Sequence, residues 1–461
     1  MGAVEERVVA HVTSTRYEDL PATAVEKVRT FLLDTIGVGI AGSCGANIDA
    51  LRALAQAWGN QPEASVFTEP GKISAQSAAM VNAYQIHCLE YDCVHEGAVL
   101  HPMATILSAL MAWVEREKGQ GRIYDGRKLI AALAVGVDVS TMLGIVTEAP
   151  IRFFRPAAAG GFGALAAIAN LGGFDAETTL NAMGIQYGQT SGTMQPHVEG
   201  VPLLGLQVGF NARAAIVSAD LAQAGFIGPR DFLTGKHGYF ELFEMGRCDV
   251  DSFLPTLGRS WQIEAMSHKP FASGRLTHGA IDAIRQLRAS HDFTAEDIAS
   301  IRCEVPPVVF NQVGRPDIAR PEPNYAKLCL RYVLGALLTR DSVDVEDFRG
   351  TVLSDPAIHA VAAKVDVVLN DVEDANAFYP QRIAVTLKDG AVYRKDLDFA
   401  YGAPEYPLTP EENVAKFRRC LTHSAKPIPK AAADRVIDFI TTLTDQADIA
   451  VLPLLTNPEA A

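Results

Sequence analysis

Between positions 87 and 101 the chain reads His87-Cys88-Leu89-Glu90-Tyr91-Asp92-Cys93-Val94-His95, with His101-Pro102 closing the stretch. Imidazoles beside carboxylates are the equipment of acid–base catalysis. A histidine exchanges a proton near neutral pH, and a neighbouring acid tunes and orients it. His101 and His95 are the candidate acid/base groups, with Glu90 and Asp92 as their tuning carboxylates. Cys, His and Asp also ligate zinc, but these spacings fit no standard zinc pattern, so a metal-free cluster is expected. The plainer alternative is a helix–loop–helix junction whose carboxylates cap backbone N–H groups.

Two other segments concentrate positive charge. Arg152-Phe153-Phe154-Arg155-Pro156 runs into Ala157-Ala158-Ala159-Gly160-Gly161-Phe162-Gly163. It reads as a basic loop entering a helix N-terminus, where free N–H groups and Arg155 suit a carboxylate. Close helix packing through the glycines is the alternative. His268-Lys269-Pro270-Phe271-Ala272-Ser273-Gly274-Arg275-Leu276-Thr277-His278 gathers two cations and two histidines. A basic loop beside a domain boundary is a place for an anionic ligand; an ordinary linker is the alternative. No Gly-x-Ser-x-Gly elbow and no strand-borne dinucleotide loop is present, so neither a lipase-type nucleophile nor a nicotinamide, flavin or nucleotide cofactor is expected.

The elements that must hold these residues are mostly helices. Val25, Val28, Leu32, Ile36 and Ile40 follow helical spacing after Pro21. Further helices are predicted over Asp49–Trp58, Ala75–Cys88, Pro102–Glu117, Arg127–Val146, Gly161–Leu171, Thr178–Tyr187 and Phe210–Ala224. Alternation of apolar and polar residues begins only near residue 300. Ala299–Val305 reads as a strand. Arg382–Asp396 reads as a hairpin turning at Lys388-Asp389-Gly390. Helices at Thr277–Ser290, Tyr325–Leu338 and Pro356–Ala363 interleave with them, and Pro410–Cys420 and Ala431–Thr444 return to helix. The expected fold is mainly α. A large all-helical domain (1–265 plus 405–461) carries an inserted, smaller α+β lid domain (266–404). From Leu454 on, the chain reads as a frayed tail.

Composition narrows the function. Over 461 residues, 40 Lys+Arg stand against 54 Asp+Glu, a formal net charge of −14. That balance argues against nucleic acid or an anionic membrane as partner; an anionic substrate needs a local basic pocket. Leu129–Val146 is the most membrane-like run, but Asp138 and Ser140 interrupt it, so it is expected to be a buried helix. Seven cysteines, an odd number with no C-x-x-C pair, and a start without signal-peptide features suggest free thiols in the cytoplasm.

Taken in order along the chain, several segments resemble the MmgE/PrpD family, whose members include 2-methylcitrate dehydratase, cis-aconitate decarboxylase and iminodisuccinate epimerase. RTFLLDTIGVGIAGS is similar to its N-terminal helix, and HCLEYDCVHEGAVLHP to its H-x-x-D-F-D-D-T … H-P-S motif. FRPAAAGGFGALAA, LQVGFNARAAIVSADLAQAGFIGP, HKPFASGRLTHGAIDA and RIAVTLKDG are similar to later blocks. The resemblance covers nearly the whole chain. It implies a helical domain with a smaller α+β lid, usually a homodimer, with no required metal or other cofactor.

It further implies a small di- or tricarboxylic acid as substrate and proton transfer at the carbon next to a carboxylate. His101 and Lys269 match family site positions and are expected to be catalytic, with Asp92 and Glu90 orienting His101 or taking a proton. Arg155, His95, Arg275 and His278 are expected to bind substrate. Departures stand at Glu90 and Cys93 within the acidic motif, at Arg155 (usually His), at Leu204 (usually Lys) and at Gln312 (a Tyr in the decarboxylase). The expected activity is a hydro-lyase. The alternatives are an epimerase or decarboxylase of a related acid, or a non-catalytic small-acid-binding protein.

Overall fold

The computed structural model describes residues 2–59 and 61–457. Its centre is a group of apolar helices: Ala75–His87, Pro102–Gly119, Gly126–Ile145, Arg155–Gly172 and Leu203–Gln223. Small residues let them approach closely. A Cβ on Gly136 would lie 2.8 Å from the Gly163 carbonyl oxygen, and one on Gly163 2.5 Å from that of Gly136. The Gly126–Ile145 and Arg155–Gly172 backbones therefore touch, so the glycine-rich segment does serve helix packing. That helix also begins at Arg155 rather than Gly161, because Pro156 is suited to a first turn.

Gly126–Ile145 is, among the described residues, the one unbent helix long and apolar enough to cross a membrane, and it is mostly buried inside the protein. Asp138 in its middle is satisfied there: Oδ2 lies 3.1 Å from His11 Nε2, and Oδ1 accepts the Gln262 N–H at 2.8 Å.

Strands of useful length come late in the sequence. Ile298–Val305 lies between Val365–Leu369, parallel to it, and Gln381–Leu387, antiparallel; Val392–Leu397 completes the sheet. The hairpin turns where expected, with Gly390 at φ +94°. Val365–Leu369 is a strand that alternation did not reveal. It is short and lies at the sheet edge, and helices fill the connection leading to it. The expected Tyr325–Leu338 helix is two helices, Pro323–Lys327 and Leu330–Arg340, with a break at Leu328-Cys329. The chain is mainly α, as expected.

Two contacts join the ends of the chain to the site region. Pro410–Thr422 packs on Ala22–Ala41, where Lys416 Nζ meets Asp34 Oδ1 at 2.6 Å in the interior and Asn413 donates to the Thr30 carbonyl at 3.1 Å. The same Lys416 donates to the Tyr91 carbonyl at 3.0 Å and stands 4.4 Å from the centre of the Tyr91 ring. Val94–His95 pairs antiparallel with Met266–Ser267, drawing the Lys269 segment onto the acidic loop. Of the expected terminal tail, 458–461 lie outside the described residues; Leu452–Leu455 before them is a short helix.

Candidate active site

The acidic loop leaves the Ala75–His87 helix through a strained residue. Glu90 has φ +53°, a left-handed conformation that costs a non-glycine residue about 1–2 kcal/mol. Residues held this way concentrate at functional sites. The strain aims the Glu90 carboxylate at Lys269: Nζ donates to Oε2 at 2.9 Å and lies 3.9 Å from Asp92 Oδ1. The Lys269 side chain is fully buried.

Asp92 Oδ2 lies 3.0 Å from His87 Nδ1 and 3.5 Å from His101 Nδ1. His101 also donates from Nδ1 to the Cys93 carbonyl at 3.0 Å. With the proton fixed on Nδ1, Nε2 carries the lone pair, and it has no protein partner among the described residues. Pro102, opening the next helix, holds His101 at its N-terminal boundary.

Burial pushes the His101 pKa down to about 4, Lys269 adds to the effect and Asp92 opposes it. His101 is therefore neutral at neutral pH. Burial also works against a charged His87, but the Asp92 charge and hydrogen bond, with help from Glu90, outweigh it and raise the pKa. Burial alone would raise the pKa of both acids. Lys269 and the histidines overcome it at Glu90, and His87 and His101 lead at Asp92, so both carboxyls are lowered and ionised.

His87, Glu90 and His101 border one cavity. Val94, Val99, Ile151, Phe153, Phe154, Met194, Leu276, Val313, Leu328 and Phe378 give it a largely apolar wall, and His197 adds a polar group. Its volume of about 80 Å³ has room for roughly five waters, the scale of a small acid. Arg155, Leu204 and Gln312, three positions where the sequence departs from the family pattern, all border this same cavity.

The expected site residues divide into two groups. His101, Glu90, Asp92 and Lys269 form one connected cluster. Of the four expected substrate binders, Arg155 and Arg275 border the cavity and His95 and His278 do not, and all four have protein partners. Arg155 reaches the cavity wall, but Nε and NH2 hold Glu244 at 3.3 and 3.4 Å, and NH1 donates to the Ala98 carbonyl at 3.1 Å. Arg275 is spent on Glu96 at 2.8 Å and on the carbonyls of Ala400, Tyr401 and His268.

His95 has Nδ1 accepting the Ala98 N–H at 3.0 Å and Nε2 beside Gln262 at 3.2 Å. His278 lies against Arg275 and the Ser273 carbonyl. Neither His95 nor His278 borders the cavity. A buried Arg or His needs partners, and sequence alone did not show that Glu96, Glu244 and nearby carbonyls supply them. His87 and His197 are cavity residues to which the sequence assigned no role. Proximity to Asp92 marks His87, whereas no local pattern marks His197.

His87, Asp92 and His101 also form a set of metal-capable atoms lying within 4.8 Å of one another. Hydrogen bonds already account for Asp92 Oδ2 and His101 Nδ1, and the Lys269 ammonium repels a cation at that place. Cys88 and Cys93 add no thiolate, because burial pushes the Cys88 thiol up to about 12 and that of Cys93 well above its ordinary range.

The packed helices followed by a later sheet agree with the family comparison. The chain belongs to the MmgE/PrpD family: residues 6–248 match the MmgE/PrpD N-terminal domain and residues 271–441 the MmgE/PrpD C-terminal domain. It is similar to the cis-aconitate decarboxylase-like protein oryM of Aspergillus oryzae, at 26% identity over 99% of this chain and 98% of that protein. It is also similar to the cis-aconitate decarboxylases of Homo sapiens and Mus musculus, at 24% identity each. Both alignments cover 98% of this chain, with 94% of the human and 93% of the mouse protein.

Proposed function

We propose that this chain is a lyase acting on a small di- or tricarboxylic acid by moving a proton at the carbon next to a carboxylate. One observation carries the reading. Two imidazoles bordering one cavity, with ring centroids 4.9 Å apart, have their pKa values driven in opposite directions, His101 down and His87 up. Such a divergence assigns a base and an acid.

Dehydration uses both. His101 Nε2 takes the proton from carbon. The electron pair forms the new carbon–carbon double bond as the neighbouring hydroxyl departs, and protonated His87 supplies the proton that turns it into water. Glu90 is held ionised chiefly by Lys269 and Asp92 chiefly by the two imidazoles, and these two carboxylates raise the His87 pKa for that step.

Decarboxylation is the second reading. The names of the relatives support it, as does the apolar wall, which favours conversion of a charged carboxylate into neutral carbon dioxide. Here the carbon–carbon bond breaks, and the electron pair left on carbon is quenched by a proton from an imidazole. Part of the same proposal are a cytosolic setting, supported by seven unpaired cysteines, and a homodimer, supported by family resemblance.

The test is incubation with a panel of hydroxy- and unsaturated di- and tricarboxylates in deuterated water, followed by NMR and mass spectrometry. Water loss with a new alkene supports dehydration, and carbon dioxide release supports decarboxylation. Deuterium entry at constant skeleton indicates epimerisation. Binding without any exchange rejects the lyase reading in favour of a binding protein.

A further inference from the structure

Around the cavity, Lys269 is matched by Glu90, Arg155 by Glu244 and Arg275 by Glu96. Two cations close to the cavity residues, Lys327 and Arg315, have no carboxylate within salt-bridge distance among the described residues. Lys327 is buried and donates to the Cys88 carbonyl at 2.9 Å, which leaves Arg315 as the half-buried one. Its guanidinium donates to the His197 carbonyl at 3.0 Å, to the Gln312 carbonyl at 3.1 Å and to His197 Nδ1 at 2.9 Å, and it lies 4.8 Å from the centre of the Tyr325 ring. All of these partners are neutral. A half-buried cation with neutral partners retains its attraction for an anion, and the guanidinium is the side chain best matched to carboxylate.

The surroundings fix the arrangement. His197 sits in the short Gln195–Glu199 helix, which ends at Gly200 with φ +72°. A Cβ on Gly200 would lie 2.6 Å from the Tyr325 side chain and 2.7 Å from its backbone nitrogen. That close approach joins the helix carrying His197 to the one carrying Tyr325. His197 borders the cavity and Arg315 does not, so the contact of Arg315 with the cavity wall runs through the imidazole and through Gln312, whose carbonyl it also holds. Burial first, then Arg315, pushes the His197 pKa down to about 4, so the ring is neutral. Arg315 NH2 lies 2.9 Å from Nδ1 and 3.5 Å from Nε2; accepting the guanidinium at the nearer nitrogen places the ring proton on Nε2.

We propose that the His197 Nε2–H, polarised by Arg315 at Nδ1, is the subsite for a second carboxylate of the substrate and selects polycarboxylates over monocarboxylates. The idea deepens the lyase reading and rests on it for the identity of the first carboxylate. His197 is the contacting group, and Arg315 is a positioning residue acting through it.

The experiment compares wild type, Arg315→Met, Arg315→Lys and His197→Gln. Calorimetry with the inert triacid propane-1,2,3-tricarboxylate and the monoacid butyrate reads binding, and the turnover panel reads KM and kcat. Arg315→Met is expected to weaken triacid binding tenfold or more, to raise KM for di- and triacids by a similar factor with kcat within a few-fold, and to leave butyrate unaffected. Arg315→Lys recovers part of the loss. Should Arg315→Met fail to fold, His197→Gln and Arg315→Lys read the same shift. Triacid binding equal in wild type and variants overturns the subsite while leaving the lyase reading in place. Triacid binding that depends on Arg315 in a protein that turns over no acid keeps the subsite and rejects the lyase. A wild type that neither binds triacid nor turns over any acid rejects both.

Discussion

His87 and His101 meet in edge-on contact and share a single oxygen, Asp92 Oδ2, which lies 3.0 Å from one Nδ1 and 3.5 Å from the other. One carboxylate thus orients both rings. Yet the pKa of His101 falls to about 4 while that of His87 rises. What separates them is position. His101 has its Nε2 edge open to the cavity, whereas His87 has carboxylates near both nitrogens, with Glu90 3.7 Å from Nε2.

The pH profile follows from these directions. A group with a lowered pKa acts as a base until pH falls to that value, so kcat/KM should fall on the acid side only as pH approaches about 4. A group with a raised pKa acts as an acid until pH climbs through it, so the alkaline limb should lie above the ordinary histidine value of about 6.5. The pair titrates jointly, and the two limbs belong to both rings. His87→Gln should remove the alkaline limb. An acid limb centred between pH 6 and 7 in wild type would contradict the assignment of His101.

Replacing the base tests His101 directly. His101→Asn should lower kcat by on the order of 10²–10⁴-fold and change KM by only a few-fold, because the imidazole acts on the moving proton. Deuterium exchange into substrate is the readout. Wild-type exchange rates in the variant would remove His101 from the chemistry.

Lys269→Met should damage the fold as well as the reaction. It leaves the Glu90 carboxylate buried without its partner, a loss of about 3–5 kcal/mol, measured as a shift in urea unfolding. Adding Glu90→Gln should restore most of the stability but not turnover. If the double variant is as unstable as the single one, the ion pair is not the reason.

Arg155→His restores the usual family residue, and the Glu244 pairing sets its effect on stability. Burial raises the Glu244 pKa, with Arg155 pulling the other way. Without the guanidinium the carboxyl takes up a proton more readily, so the variant should lose about 1–3 kcal/mol. The loss should be smaller at pH 5 than at pH 8. Thermal melts at the two pH values decide it, and a pH-independent loss would show that charge is not involved. Glu244→Gln in the same chain should abolish the pH dependence.

The purified protein should carry no stoichiometric zinc, since the Lys269 ammonium and the hydrogen-bonded His101 Nδ1 oppose a cation at His87–Asp92–His101. Elemental analysis checks this. Zinc at one equivalent, lost together with activity on chelation, would overturn it.

Periodicity made the helices legible, because buried helices such as Gly126–Ile145 are long and continuous. The hairpin was legible because Gly390 announces its turn. The edge strand Val365–Leu369 was not, since five residues alternate too briefly to stand out. Within the site, the His87–His101 cluster was visible as a local density of titratable groups. The protein partners of Arg155, Arg275, His95 and His278 were not legible, because each partner is brought near only in the folded chain. His197 and Arg315, 118 positions apart, become neighbours only through the Gly200–Tyr325 contact.

The pairing of Val94–His95 with Met266–Ser267 has a consequence for how the molecule is made. A ribosome that has released only the N-terminal half has produced Glu90 and Asp92 but not Lys269. Asp92 already has His87 and His101 beside it, whereas Glu90 still awaits its ammonium. When the later segment arrives, strand pairing and charge neutralisation happen together. Burial of Glu90 with its charge matched therefore requires a chain that extends past Lys269.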